Sequence, residues 1–139
     1  MSDEEADLAA RIGAVLPPYA QSLGIAVDHA ENGAPLLAMP FDGKVEGRPG
    51  YLHGGAIGGL LEMAAFTALR AELQRRGVAA QIKPVNVTVE YLRGGTRQQT
   101  FARGRVIRAG RRIANLSAEA WQDDPAKPIA TAWMNVLLG

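Results

Sequence analysis

The sequence predicts an α+β domain in which one curved, mostly antiparallel sheet wraps round a single long central helix. Three observations carry that expectation. From His53 to about Arg76 runs one helix-length segment whose first four turns are apolar on almost every side, through Ala56, Ile57, Leu60, Leu61, Met63, Ala64, Ala65, Phe66 and Leu69. A helix apolar all round is enclosed rather than laid on a surface. Further on, Val85, Val87, Val89 and Tyr91 alternate with Asn86, Thr88 and Glu90, and Ala114, Leu116, Ala118 and Ala120 alternate with Asn115, Ser117 and Glu119. That period of two belongs to strands, and strands grouped apart from helices belong to α+β folds. Finally, 139 residues with 47% hydrophobic and 21% charged suit one globular domain, residues 1–139, without linker or repeat.

Each element has its own signal. Ser2 caps a short helix whose first turn holds Asp3, Glu4 and Glu5, where the helix dipole favours acids. Leu8, Ile12, Val15 and Leu16 give it one apolar stripe, and Pro17-Pro18 ends it, so residues 1–17 form an N-terminal helical segment. Leu23 to Ala30 and Leu36 to Phe41 read as two strands joined by Glu31-Asn32-Gly33, whose Asn-Gly pair marks a tight hairpin. Residues 42–50 are turn formers and charges, hence a loop. Gly77 is placed to terminate the long helix, whose polar last turn (Glu72, Gln74, Arg75, Arg76) should protrude. Strands follow at Val85 to Tyr91, Thr100 to Arg108, Ile113 to Trp121 and Ile129 to Leu138, with turns at Ala109-Gly110 and Asp123-Asp124-Pro125. The helix covers one sheet face only. Homodimerisation through a sheet edge or exposed apolar surface is the economical way to cover what remains.

Composition narrows the function. A net charge of +1 gives no general reason for nucleic acid or an anionic membrane as partner. With no cysteine there is no disulfide, thiolate nucleophile or cysteine-bound zinc. The N-terminus is acidic where a secretory signal would be basic, then apolar. The longest apolar stretch, Ala56 to Leu69, is broken by Glu62 and Thr67 and is shorter than the ~18 residues a membrane span needs. A soluble cytoplasmic protein is expected. Two separated histidines and scattered acids supply no metal-site spacing, and neither a serine nucleophile elbow nor a phosphate-cradling glycine loop occurs, so no metal or cofactor is expected.

At Leu52-His53-Gly54-Gly55-Ala56, with Glu62 eight residues beyond the first glycine, the sequence resembles the hotdog-fold acyl-CoA thioesterases, in particular the phenylacetate-degradation subgroup. The likeness runs from about Pro18 to the C-terminus and takes in Val89-Glu90-Tyr91-Leu92-Arg93 and the turn Gly110-Arg111-Arg112. It implies a hotdog fold, an acyl-CoA substrate, and a homodimer paired into a tetramer.

The chemistry fits the residue types. Thioester hydrolysis needs an activated water or a nucleophile, and donors for the oxyanion that develops on the carbonyl. A carboxylate serves as base or nucleophile, and the unpaired N–H groups of a helix N-terminus are oxyanion donors. Gly54 and Gly55 lie in that first turn and leave room for substrate. The resemblance implies that the Gly54 N–H is the donor, that Glu62 is base or nucleophile, and that His53 orients the turn. Glu62 could instead face solvent or pair with an arginine across a dimer interface, but acids are seldom buried without a reason. Gly58 and Gly59 read as packing positions, and His29 as an exposed strand residue without a role. Phosphates of CoA call for arginine near the surface: Arg93, Arg108, Arg111 and Arg112 are the candidates, and the resemblance favours Gly110-Arg111-Arg112. Leu61, Ala65 and Phe66 could line the acyl groove, but core packing is the better account of each.

Two positions depart from the family pattern. Gly47 stands where many relatives carry an amide, and Pro84 about where a serine or threonine often follows the helix. Two further functions therefore compete with hydrolysis: a non-catalytic acyl-thioester binder or sensor, and a hotdog hydratase or dehydratase, whose motif is not found here.

Overall fold

The computed structural model describes Met1–Gly139 and contains three helices and six strands: α1 (Asp3–Ala14), α2 (Pro18–Ser22), β1 (Ala26–Glu31), β2 (Ala34–Met39), α3 (Gly54–Arg75), β3 (Ile82–Tyr91), β4 (Thr100–Ala109), β5 (Ile113–Trp121) and β6 (Ala130–Leu138). The strands form one sheet in the order β1-β2-β4-β5-β6-β3, with every pairing antiparallel.

Local chemistry sets the boundaries. Ser2 and Glu5 form a reciprocal capping box on α1, which satisfies two N–H groups that the helix itself leaves unpaired. The β1–β2 hairpin turns through Asn32 (φ 53°) and Gly33 (φ 77°), the left-handed pair such a tight turn requires. Gly77 (φ 67°) reverses the chain after α3, where a side chain would be strained.

One segment differs from expectation. Residues from Leu23 were expected to enter the first strand, whereas Pro18–Ser22 form the helical turn α2 and β1 begins only at Ala26. Pro18 is preset for a first helical position, and Gly24 (φ 75°) redirects the chain into the strand. Ala20, Leu23 and Ile25 still reach the core, so their apolar character suited either reading.

The helix α3 lies across the concave face of the sheet. Thirteen of its residues are buried, and alternate residues of β5 (Ala114, Leu116, Ala118, Ala120) pack against it as their periodicity predicts. The approach is closest at Gly104 of β4, where a Cβ would fall 2.2 Å from the Ala64 carbonyl oxygen. Only glycine fits there, so Gly104 sets the helix–sheet distance. At Gly59 a Cβ would meet the Tyr19 hydroxyl at 2.5 Å, so this glycine admits α2, in line with a packing role.

The two sheet edges are treated differently. Along β1 runs α1, with Leu8 and Ile12 packed against Ala30 and Ala71. The free edge of β3 is bare, and Val85, Val87 and Tyr91 stay exposed in the single chain. No helix is long and apolar enough to cross a membrane.

Candidate active site

The start of α3 is held from several sides. Leu52 N–H donates to the Gly95 carbonyl (2.9 Å) and His53 N–H to the Val45 carbonyl (2.8 Å). His53 is the N-cap, and its Nδ1 accepts from the Gly55 N–H at 2.8 Å. The Tyr91 hydroxyl, reaching over from β3, donates to the Gly54 carbonyl at 2.8 Å. The Gly54 carbonyl and the Gly55 N–H belong to one peptide group, so His53 and Tyr91 hold that group from opposite ends. The preceding N–H, that of Gly54, has no acceptor in the chain. It is the unpaired donor at the positive end of a 22-residue helix. The Gly55 N–H, also a sequence candidate, is engaged by His53.

Glu62 is the ninth residue of α3 and half-buried. Every other half-buried acid in the chain has a partner: Glu5, Glu31, Asp42, Glu46, Glu72, Glu119 and Asp124 each accept a hydrogen bond or face a cation. Glu62 has none. It lines a cleft of about 520 Å³ whose walls are mostly apolar, with Ile12 and Val15 from the N-terminal segment, Tyr19 from α2, Met63 and Phe66 from α3, and Ile82 from β3. Of the three residues weighed as groove lining or core, only Phe66 borders this cleft. Leu61 and Ala65 are fully buried and belong to the core, because their positions on α3 turn toward the sheet.

Gly54 and Glu62 are eight residues apart, which is ~12 Å along the helix axis and about 80° round it. They do not open into the same space. Gly54 faces a hollow of about 360 Å³ lined by Arg48, Tyr51, Tyr91 and Arg93. One thioester carbonyl therefore cannot meet the donor and the carboxylate of a single chain.

The basic candidates also fall into two groups. Arg108, Arg111 and Arg112 surround an open hollow of about 560 Å³ with Gly110 and Asn115, beside the C-terminal end of α3, where Arg76 reaches the Ala109 carbonyl at 3.3 Å. Arg93 lies at the other end of the helix, with Gly54. None of the four has a carboxylate partner.

The departures from the family pattern have a physical reading. A Cβ on Gly47 would sit 3.0 Å from the His53 Cα, so any side chain there would press on the backbone of the cap residue. The loop is drawn in close against His53, so a larger residue at 47 would require that backbone to shift by a few tenths of an ångström. Pro84 lies exposed on β3 just before a bulge in its pairing with β6. Near it Asn86, Asn135 and Asn115 form an amide chain across β3, β6 and β5 (2.9 and 2.5 Å).

A long helix embraced by one curved antiparallel sheet is the hotdog fold of the thioesterase superfamily. The sequence pattern of the acyl-CoA thioesterase N-terminal domain matches residues 46–135, and the chain belongs to that family. A Chromobacterium violaceum protein of known structure shares 34% identity over 96% of this chain and 90% of its own, with a TM-score of 0.72. A thioesterase of Haemophilus influenzae shares the fold with a TM-score of 0.83 at 18% identity, over 94% of this chain and 90% of that one. A phenylacetic acid degradation-related protein of Ralstonia eutropha does so with a TM-score of 0.77 at 22% identity, over 94% and 98%. No curated protein matches the chain. The resemblance inferred from the His-Gly-Gly motif and Glu62 is thereby borne out for the family and for the fold.

Proposed function

We propose that the chain hydrolyses acyl-CoA thioesters to free acid and CoA, with Glu62 as general base or nucleophile and the Gly54 N–H as oxyanion donor. One observation carries this reading: Glu62 is the only half-buried carboxylate left without a hydrogen bond or cation, and it stands in an apolar cleft. An acid left without a partner beside apolar walls is an exception, which a catalytic role accounts for.

The ~12 Å between Gly54 and Glu62 gives the homodimer a functional reason. In this reading the donor of one copy and the acid of another flank the same carbonyl, as the bare β3 edge allows. The developing oxyanion is stabilised by the Gly54 N–H and the positive end of α3. The acyl group takes the cleft beside Glu62, and the CoA phosphates are assigned to Arg111 and Arg112 at the Gly110 turn and to Arg93. A dimer of dimers brings such a turn to a neighbouring site.

The test is release of free thiol from short, medium, long and aryl acyl-CoAs, with Glu62→Gln beside the native chain. Gln keeps the size but is neither base nor good nucleophile, so turnover should fall roughly a hundredfold or more while the fold persists. Equal turnover in the variant would remove Glu62 from the mechanism. Tight binding without release from any thioester would favour the non-catalytic binder.

A further inference from the structure

The second charged group in the Glu62 cleft is Arg70, and it is as anomalous as the first. The chain has twelve arginines. Arg11, Arg75, Arg76, Arg97, Arg103 and Arg105 each face a carboxylate within 4 Å. Of the six without one, Arg48, Arg93, Arg108, Arg111 and Arg112 are exposed and water serves them. Arg70 alone is half-buried and has no anion. Its single protein hydrogen bond goes from Nη1 to the Ala80 carbonyl at 3.1 Å, which leaves four of five donors unused. A cation so placed among Ile12, Val15, Phe66 and Ile82 is costly unless an anion meets it.

We infer that Arg70 is the far-end anchor of the acyl site, and that the preferred substrates carry a carboxylate at the end of the acyl group remote from the thioester. This rests on the proposed role of Glu62. Arg70 is eight residues beyond Glu62, ~12 Å along the same helix, and both border the one cleft. A carbonyl at the Glu62 end and an anion at the Arg70 end define a substrate of medium length. The apolar walls between them suit a hydrocarbon or aryl middle, and the guanidinium fork suits a terminal carboxylate. CoA phosphates are the other anions a thioester brings. They match the exposed Arg108, Arg111 and Arg112 group better than one arginine inside an apolar cleft.

The test compares octanedioyl-CoA with octanoyl-CoA, equal in carbon number and differing in the terminal carboxylate, on the native chain and on Arg70→Met and Arg70→Lys. The native chain should favour the dicarboxylate in kcat/KM by tenfold or more. Arg70→Met should lower that ratio at least tenfold, and Arg70→Lys should restore part of it, because the charge returns without the fork. Equilibrium binding of the same pair to Glu62→Gln repeats the comparison without turnover, so loss of the hydrolytic reading and loss of the anchor are told apart. A ratio near one in both assays overturns the inference. So does an equal loss for both CoA thioesters in Arg70→Met that disappears with N-acetylcysteamine thioesters, which would give Arg70 to a phosphate. A change in oligomer mass with an unaltered ratio would give it to an acid of a second copy, and overturns the inference too.

Discussion

The peptide group between Gly54 and Gly55 is held by two side chains from distant parts of the chain: Tyr91 bonds its carbonyl and His53 its N–H. Each side chain is engaged with that peptide group, so both act by fixing the turn that presents the free Gly54 N–H. Tyr91→Phe should therefore lower kcat roughly three- to tenfold and leave KM nearly unchanged, since misplacing a donor weakens transition-state binding more than ground-state binding. An unchanged kcat would leave the helix alone to position the donor. At this scale the sequence was partly legible. Glu62 stands out because an acid inside an apolar helix is an exception. Arg70 does not, because a basic residue near the polar end of a helix reads as solvated, and only the fold shows it turned into a cleft. Tyr91 reads as one more apolar member of an alternating strand. Its hydroxyl meets a carbonyl 37 residues away, a separation no local pattern encodes.

Among the elements, α3 concentrates the most information. Its apolar run and the terminating Gly77 were legible in advance, and so was the β5 face that packs beneath it. The turn α2 was not, because the apolar residues 20, 23 and 25 serve a strand and a helical turn equally well. The last turn of α3, expected to protrude, is instead tied to α1, the β1–β2 turn and β4, and it carries a small electrostatic device: Glu72 bonds Arg75 and, at 2.8 Å, Arg76. The Arg75 hydrogen bond is the main cause holding the Glu72 carboxyl below its ordinary value of 4.5. A depressed acid contributes stability above its unfolded value and loses it as pH falls through the folded one. Glu72→Gln should therefore lower the melting temperature slightly at pH 7, by the fraction of a kcal/mol typical of surface pairs, ~0.3–0.5. The difference from the native chain should close as pH drops below about 4.5. Melting curves across pH 3–7 check this, and a constant gap would assign the effect to packing.

For the molecule as a whole, the two edges of its sheet are unlike. One edge is shielded by α1, and the other offers the bare backbone of β3 with exposed Val85, Val87 and Tyr91. The alternation of β3 was plain in the sequence, but whether its apolar residues face a core or a second molecule is a property of strand order. In the proposed dimer that edge is paired. Val87→Lys, a charge on an open edge, should shift the mass in light scattering toward a single chain and lower thioesterase activity together with it. A dimer that persists would move the interface elsewhere.

Strand order also has a consequence for biosynthesis. The only neighbour of β3 within the chain is β6, whose last residue, Leu138, comes 47 residues after Tyr91. At roughly 5–20 residues per second, the last residue of β6 is joined to the chain several seconds after Tyr91, so β3 is made well before its only intrachain neighbour is complete. During that interval the strand is free to meet its counterpart on an adjacent nascent chain of the same message. In the proposed dimer, the pairing of two β3 edges is thus free to precede the completion of either fold.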